Sequence, residues 1–329
     1  VTKYDVVGIG NAIVDVSSRE GAEFIEAQGL TKSSMQLVDA ETATHLYSAM
    51  ASGSETSGGS AANTLAGLAS FGAQAAFIGK VHDDQLGEVF RHDIRALGVD
   101  FDVAPSTTGL PTGRCLVVVT PDAARTMSTF LGAASILDPD DIDVGLAGDT
   151  KVLYCEGYIW DIDISKQAIR KAISVTKARG NKISFTASDS FCVTRHHREW
   201  LDLIDGTIDL LFANEDEICT LFDTDDFWHA VEQIKGKVEI AAITRSEKGS
   251  VIVTATETIE IPAEPIDELV DTSGAGDQYA AGFLYGYTQN LDLATCGKLA
   301  SVAAAEVIQH LGARPEVSLA GLARKLLDV

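Results

Sequence analysis

The residue types most suited to chemistry lie in Asp271-Thr272-Ser273-Gly274-Ala275-Gly276-Asp277, followed at once by a helical pattern through Tyr279, Ala280, Phe283, Leu284 and Tyr287. Small residues at 273–276 let the backbone approach a ligand closely. A helix starting there aims free N–H groups and its positive dipole end at the loop, which makes an anion site. Asp277 is the odd member, because a carboxylate at the mouth of an anion hole repels phosphate. It makes sense as the base that takes a proton from the group attacking that phosphate.

Four further segments carry candidate groups. Ser57-Gly58-Gly59-Ser60-Ala61-Ala62-Asn63 leads into a helix, with glycines for close approach and Asn63 in the first turn, where its amide would reach hydroxyls. The plain alternative is a glycine turn and a helix cap. Gly8-Ile9-Gly10-Asn11 resembles the start of a dinucleotide fingerprint, but Ile13 stands where its third glycine belongs and more strand follows. Asp15 reads better as a carboxylate for the paired hydroxyls of a sugar, or else as a surface Asp after a strand. Asn214-Glu215-Asp216-Glu217 follows a strand, at the sheet edge where ligands gather. Asn214 and Glu217, one turn apart, would suit a hard cation such as Mg2+, or form an ordinary acidic helix start. Thr244-Arg245-Ser246-Glu247-Lys248-Gly249 is a turn between strands that would hold nucleotide phosphates through Thr244 and backbone amides.

Other chemistries fit poorly. The histidines form no H-x-x-x-H or H-E-x-x-H pair, which argues against a zinc enzyme, and there is no G-x-S-x-G elbow or G-x-x-x-x-G-K-[ST] loop. A net charge of -23 argues against nucleic acid or an anionic membrane as partner. It also requires a phosphate site to be locally positive. The 5 cysteines are odd in number, widely spaced and without a C-x-x-C pair, which points to a reduced, cytoplasmic compartment. Val-Thr-Lys-Tyr-Asp runs straight into a strand, without signal-peptide architecture, and no apolar run approaches a membrane span.

The elements that must position these groups alternate. Strands are expected at 6–9, 75–78, 152–155, 183–186, 210–213, 240–244 and 250–254. Helices are expected at 62–71, 86–97, 165–179 and 227–234, and from Gly276 onward through 293–310 and 319–327. Such alternation implies a mostly parallel sheet covered on both faces. Residues 11–50 and 103–131 break the rhythm with β-branched and polar alternation, including a hairpin around Pro121 and Asp122. Both stretches are expected in a small β lid, and the whole of 1–329 in one domain. Phe130 and Trp160 are available to stack on a base, although aromatics of this kind more often serve a core.

Together these segments resemble the PfkB/ribokinase family of carbohydrate and nucleoside kinases. The glycine-rich segment running to Gly79-Lys80-Val81-His82-Asp83-Asp84-Gln85-Leu86-Gly87 resembles its N-terminal signature, and Asp271–Asp277 its C-terminal one. The resemblance implies a ribokinase-like three-layer α/β/α fold with a lid, and ATP as co-substrate. It implies Asp277 as catalytic base, with Gly274, Ala275, Gly276 and Asp277 forming the anion hole. Asn214, Thr244, Gly249 and Gly276 would line the ATP site, with Asn214 and Glu217 organising Mg2+ through water. Asn11, Asp15, Gly58, Gly59, Ser60 and Asn63 would hold the acceptor. A K+ ion would sit beside the anion hole, held by backbone oxygens near Asp271, Ser273, Val307, His310 and Gly312. Within the family, Gly8–Asp15, Gly59–Thr64 and Arg125-Thr126-Met127-Ser128-Thr129-Phe130-Leu131-Gly132 resemble adenosine kinases, with Arg125 either clamping the transferring phosphate or lying on the lid surface. That favours a nucleoside over ribose, fructose or a keto-deoxy sugar acid; a catalytically silent nucleotide-binding regulator is the remaining alternative. Both a monomer and a homodimer through the lid fit this reading.

Overall fold

The structure, a computed structural model, describes residues 2–122 and 124–327. Its strands, in chain order, are β1 (Tyr4–Ile9), β2 (Ile13–Arg19), β3 (Met35–Leu37), β4 (Ser54–Gly58), β5 (Ala75–Ile78), β6 (Val99–Asp100), β7 (Gly113–Val119), β8 (Arg125–Phe130), β9 (Thr150–Glu156), β10 (Lys182–Thr186), β11 (Leu210–Asn214), β12 (Ile240–Thr244), β13 (Ser250–Val253) and β14 (Thr258–Ile261). A nine-stranded sheet has the order β14-β13-β12-β11-β10-β9-β1-β5-β6. Its strands run parallel except for β13 and β14, which close one edge antiparallel.

Both faces of this sheet are buried, and the strand sequences show why. Along β9, Leu153 and Cys155 enter one core while Val152 and Tyr154 enter the other; β11 and β12 alternate in the same way. The first core is covered by the helices Asp163–Ala178 and His197–Ile204, the second by Ser60–Phe71, Ala275–Thr288 and Leu293–Val307. This is the ribokinase-like α/β arrangement, with helices on both sides of a mostly parallel sheet. Trp160 and Phe185 meet edge to face at 5.9 Å, as do Phe185 and Trp200 at 5.7 Å. Fully burying aromatics of this size contributes about 1.5–3 kcal/mol each. Trp160 is therefore a core residue, and Phe130, also buried, packs into the second core; neither presents a face for a base.

A second sheet has five strands in the order β3-β8-β7-β2-β4. The hairpin β7–β8 appears where the sequence places it. The stretch 11–50 differs, since besides β2 and β3 it contains the helices Ala22–Ala27 and Ala40–Ala49. Asp39 starts the latter by accepting from the Thr42 amide at 2.8 Å. The sheet also takes in β4, from outside both expected stretches. Ser-Glu-Thr-Ser-Gly has no apolar alternation to announce a strand, and it is held at the edge by antiparallel pairing with β2.

The late helix ends at Val307, not at 310. The Ile308 carbonyl accepts from the Val270 and Asp271 amides, at 2.9 and 3.2 Å, so the chain turns there towards the Asp271–Asp277 loop. Among the described residues no helix is long and apolar enough to cross a membrane.

Candidate active site

A cleft of about 1650 Å3 lies along the carboxyl ends of the main strands, with the smaller sheet as one wall. Alternation supplies that wall: Ile13, Asp15 and Ser17 of β2, Cys115, Val117 and Val119 of β7, and Arg125 and Met127 of β8 all line it.

At one end lies the Gly274–Asp277 turn. Gly274 caps the helix Ala275–Thr288 with a φ of 76°, and a Cβ there would come within 2.6 Å of Ala313 backbone. Only glycine meets both conditions. The Ala275 amide donates to the Thr272 carbonyl at 3.2 Å. The Gly276 and Asp277 amides belong to the first turn, where a helix leaves N–H groups without intrahelical acceptors. The donors expected from residues 274–277 are thereby narrowed, since the Ala275 amide holds the turn together. A Cβ on Gly276 would meet nothing within 4 Å, so packing does not demand this glycine, and open space lies beside the helix start.

Asp277 points from this helix to the Ser60–Phe71 helix. Its carboxylate accepts from Ser60 Oγ at 2.6 Å and Asn63 Nδ2 at 3.3 Å. Burial pushes the carboxyl up to about 6 against those hydrogen bonds, and the nearby Asp15 charge pushes the same way. Asp15 is likewise pushed up to about 6 by burial, opposed by Arg314 and Arg125.

The acceptor-side residues divide. Gly59, Ser60, Asn63 and Asp15 line the cleft. Gly59 has a φ of 101°, and a Cβ there would strike the Asn11 carbonyl at 2.2 Å. Gly58 makes room for Asp15, whose carboxyl would lie 2.5 Å from a Cβ at 58. Asn11 is buried and its amide donates to Glu156 Oε1 at 3.2 Å, so it braces the wall from behind. Glu156 went unremarked in the sequence. It ends β9, accepts from the Ala61 amide at 3.0 Å, and is pushed up to about 8 by burial. Nothing about a lone Glu after a strand signals this; only the approach of the Ser60–Phe71 helix does.

At the other end, Thr244 and Asn214 are paired neighbours at the ends of β12 and β11 and line the cleft with Glu217 and Gly249. Asn214 and Glu217 form a reciprocal cap: Asn214 Oδ1 accepts from the Glu217 amide, while Glu217 accepts from the Asn214 amide and side chain, each at 2.8 Å. Burial pushes Glu217 up to about 7. Among the described residues no group of three His, Cys, Asp or Glu converges to hold a metal. This donor set fits a hydrated Mg2+ carried on nucleotide phosphates, not a cage made of protein.

Around the expected K+ site the side chains bond to one another and to backbone amides, while the expected ligands are backbone oxygens. Asp271 accepts from the Ser273 and Gly312 amides, both at 3.0 Å, and from Arg125 at 2.6 Å. Val307 is fully buried, and the His310 ring turns to Glu306 at 3.2 Å. Arg125 also donates to Ser273 Oγ at 3.2 Å, tying the smaller sheet to the anion loop.

Arg314 is the cleft residue most clearly missed. Its Nε donates to Asn63 Oδ1 at 3.1 Å, and Nη1 to Ser57 Oγ at 2.6 Å and Asp93 at 3.2 Å. A single Arg past the last motif carries no local pattern that would have found it.

A profile of the pfkB family carbohydrate kinases matches residues 24–318. The structure is similar to an adenosine kinase from Sinorhizobium meliloti, with 48% identity, a TM-score of 0.91 and coverage of 98% of this chain and 99% of that one. It is equally similar to a probable sugar kinase from Rhizobium etli, with 46% identity, a TM-score of 0.93 and full coverage of both chains. The adenosine kinase of Saccharomyces cerevisiae is 27% identical over 93% of this chain and 95% of its own length. A glycine turn at a helix start, with a part-buried carboxyl beside a serine hydroxyl, therefore has its explanation in descent: the chain belongs to the PfkB family and is a phosphotransferase acting on an alcohol.

Proposed function

We propose that the chain transfers the γ-phosphoryl group of ATP to the 5′-hydroxyl of a nucleoside, adenosine first among them. The observation that carries this reading is Asp277, held by Ser60 and Asn63 where the anion turn meets the acceptor wall. ATP lies towards Thr244 and Gly249, with its γ-phosphate at the Gly276 and Asp277 amides. The acceptor lies under the smaller sheet, with its ribose hydroxyls at Asp15. The hydroxyl oxygen forms the new bond to phosphorus, its proton passes to Asp277, and the bond to the bridging oxygen of ADP breaks. Amides aimed at the developing charge and fixed positions for both reactants supply most of the rate. Mg2+ on the phosphates, when bound, neutralises charge, with Asn214 and Glu217 placed to hold its water. Arg125, which reaches the loop from the smaller sheet, serves either to clamp phosphate or to latch the sheet down as a lid, and closure would exclude water.

The acceptor wall supports a nucleoside over a free sugar. Ile13, Cys115, Val117 and Met127 of the smaller sheet line the cleft together with Asp15, Ser17 and Arg125. The apolar side chains suit the face of a base, and Asp15 suits the hydroxyls of its ribose. The second reading, a sugar kinase, rests on the similarity to the Rhizobium etli protein. ADP release measured over a panel of nucleosides and sugars decides between them. Turnover with adenosine alone supports the first reading. Turnover only with ribose, fructose or a keto-deoxy sugar acid overturns it.

A further inference from the structure

We propose that Arg314 is a positioning residue for phosphoryl transfer, fixing which end of the Asn63 amide faces Asp277. The inference rests on the reading of Asp277 as base.

A guanidinium only donates hydrogen bonds. Its Nε lies 3.1 Å from Asn63 Oδ1, so the carbonyl end of that amide must face Arg314. The NH2 end is then left to donate to Asp277, at 3.3 Å. With the amide reversed, a carbonyl oxygen would face the carboxylate, and the two would repel. Arg314 therefore acts on the carboxyl without touching it.

Arg314 is itself held on several sides. Asp93 accepts from its Nη1 and from the amide and hydroxyl of Ser57, at 3.2, 2.8 and 2.6 Å, so the guanidinium is braced by one helix and by β4. Gln278, fully buried, donates to the Asn63 and Ala313 carbonyls, both at 3.0 Å. This ties the chain just before Arg314 to the backbone of the residue it orients. A Cβ on Gly67 would lie 2.1 Å from Gln278 Oε1, so that glycine leaves the space the bridge occupies. The side chain is 17% exposed, too enclosed to serve as a surface charge; its Nε and Nη1 are hydrogen-bonded, while Nη2 is buried without a partner.

The test uses ATP and adenosine, or the acceptor that replaces adenosine in the panel above. Arg314→Met is expected to lower kcat about tenfold to a hundredfold, the scale of a small misplacement of a catalytic group. The KM for ATP should stay within about twofold, because Arg314 does not face the nucleotide end. Arg314→Lys keeps the charge but cannot bond Asn63, Ser57 and Asp93 together, so it should recover only part of the loss. Combined with Asn63→Ala, Arg314→Met should cost little beyond Asn63→Ala alone, because the effect runs through Asn63. Thermal unfolding tells a positioning loss from a folding loss, and if the Met variant does not fold, Lys carries the test. A parent-like kcat in the Lys and Met variants, or losses that multiply with Asn63→Ala, overturns the proposal. Asp277→Asn separates the two readings. If that variant turns over normally, the base assignment falls and this inference with it. If it is dead while the Arg314 variants are normal, only this inference falls.

Discussion

The two ends of the cleft are made of different material. The Gly274–Asp277 end is built from backbone within a few consecutive residues: a left-handed glycine, a helix start and the open space beside Gly276. The Asp15–Asn63 end is built from side chains brought together by β2, β4, the helix Ser60–Phe71 and the chain after Leu293–Val307. Backbone geometry is rigid once the helix forms, so the first end tolerates little change of residue. The second end depends on charge balance, since Asp15, Asp93 and Asp277 share the field of Arg314. Asp277 belongs to both ends: its backbone is part of the first and its carboxyl part of the second.

The sharpest way to break this contrast is Asp277→Asn, which leaves the backbone end intact and removes the proposed base. We expect kcat to fall on the order of 10²–10⁴-fold, with ATP affinity, read by equilibrium binding, close to that of the parent. A variant with a near-normal rate would end the assignment. The next largest effect is on pH dependence. Burial holds the Asp277 carboxyl at about 6, and the base must be ionised, so kcat/KM should fall as pH drops through that value, by about tenfold per pH unit below it. Ser60 donates to the ionised form, so Ser60→Ala should move this limb to higher pH. A pH profile flat down to 5 would contradict the picture.

Asp15→Asn tests the side-chain end alone. Losing a charged hydrogen-bond acceptor costs about 1.5–3 kcal/mol, so the KM for the acceptor should rise by about tenfold to a hundredfold while the KM for ATP holds. Equal rises in both would mean that the ends are not separable. Gly276→Ala tests the backbone end. The added methyl meets no protein atom, so the melting temperature should stay at the parent value or rise slightly, while turnover falls by about tenfold as the methyl enters the space for phosphate. Gly274→Ala is the contrast, with a strained φ and a collision with Ala313, and should lose about 1–3 kcal/mol of stability in denaturant unfolding.

The backbone end was legible because glycine spacing and a following helical period state their geometry locally. The alternating apolar strands of the main sheet were legible for the same reason. The small sheet was only partly so: β4 lacks an apolar alternation, and the helices within 11–50 were hidden by their short length. Asn11 is a subtler case. Its place beside a glycine turn suggested ligand contact, but the buried carboxyl of Glu156 claims it. Phe130 and Trp160 offered rings of the right kind, but β8 sends Phe130 into the second core and the turn after β9 sends Trp160 into the first.

The amino-acid sequence by itself determined the reaction class, because an anion turn, its helix and its carboxylate are consecutive residues whose geometry needs no distant partner. Only the tertiary structure decided how that carboxylate is held. Ser60, Asn63 and Arg314 lie some 40 to more than 200 positions from Asp277, and no local pattern records which of them will meet. The packing of helices on the sheet brings them together, and burial then sets the acidity of the group they surround.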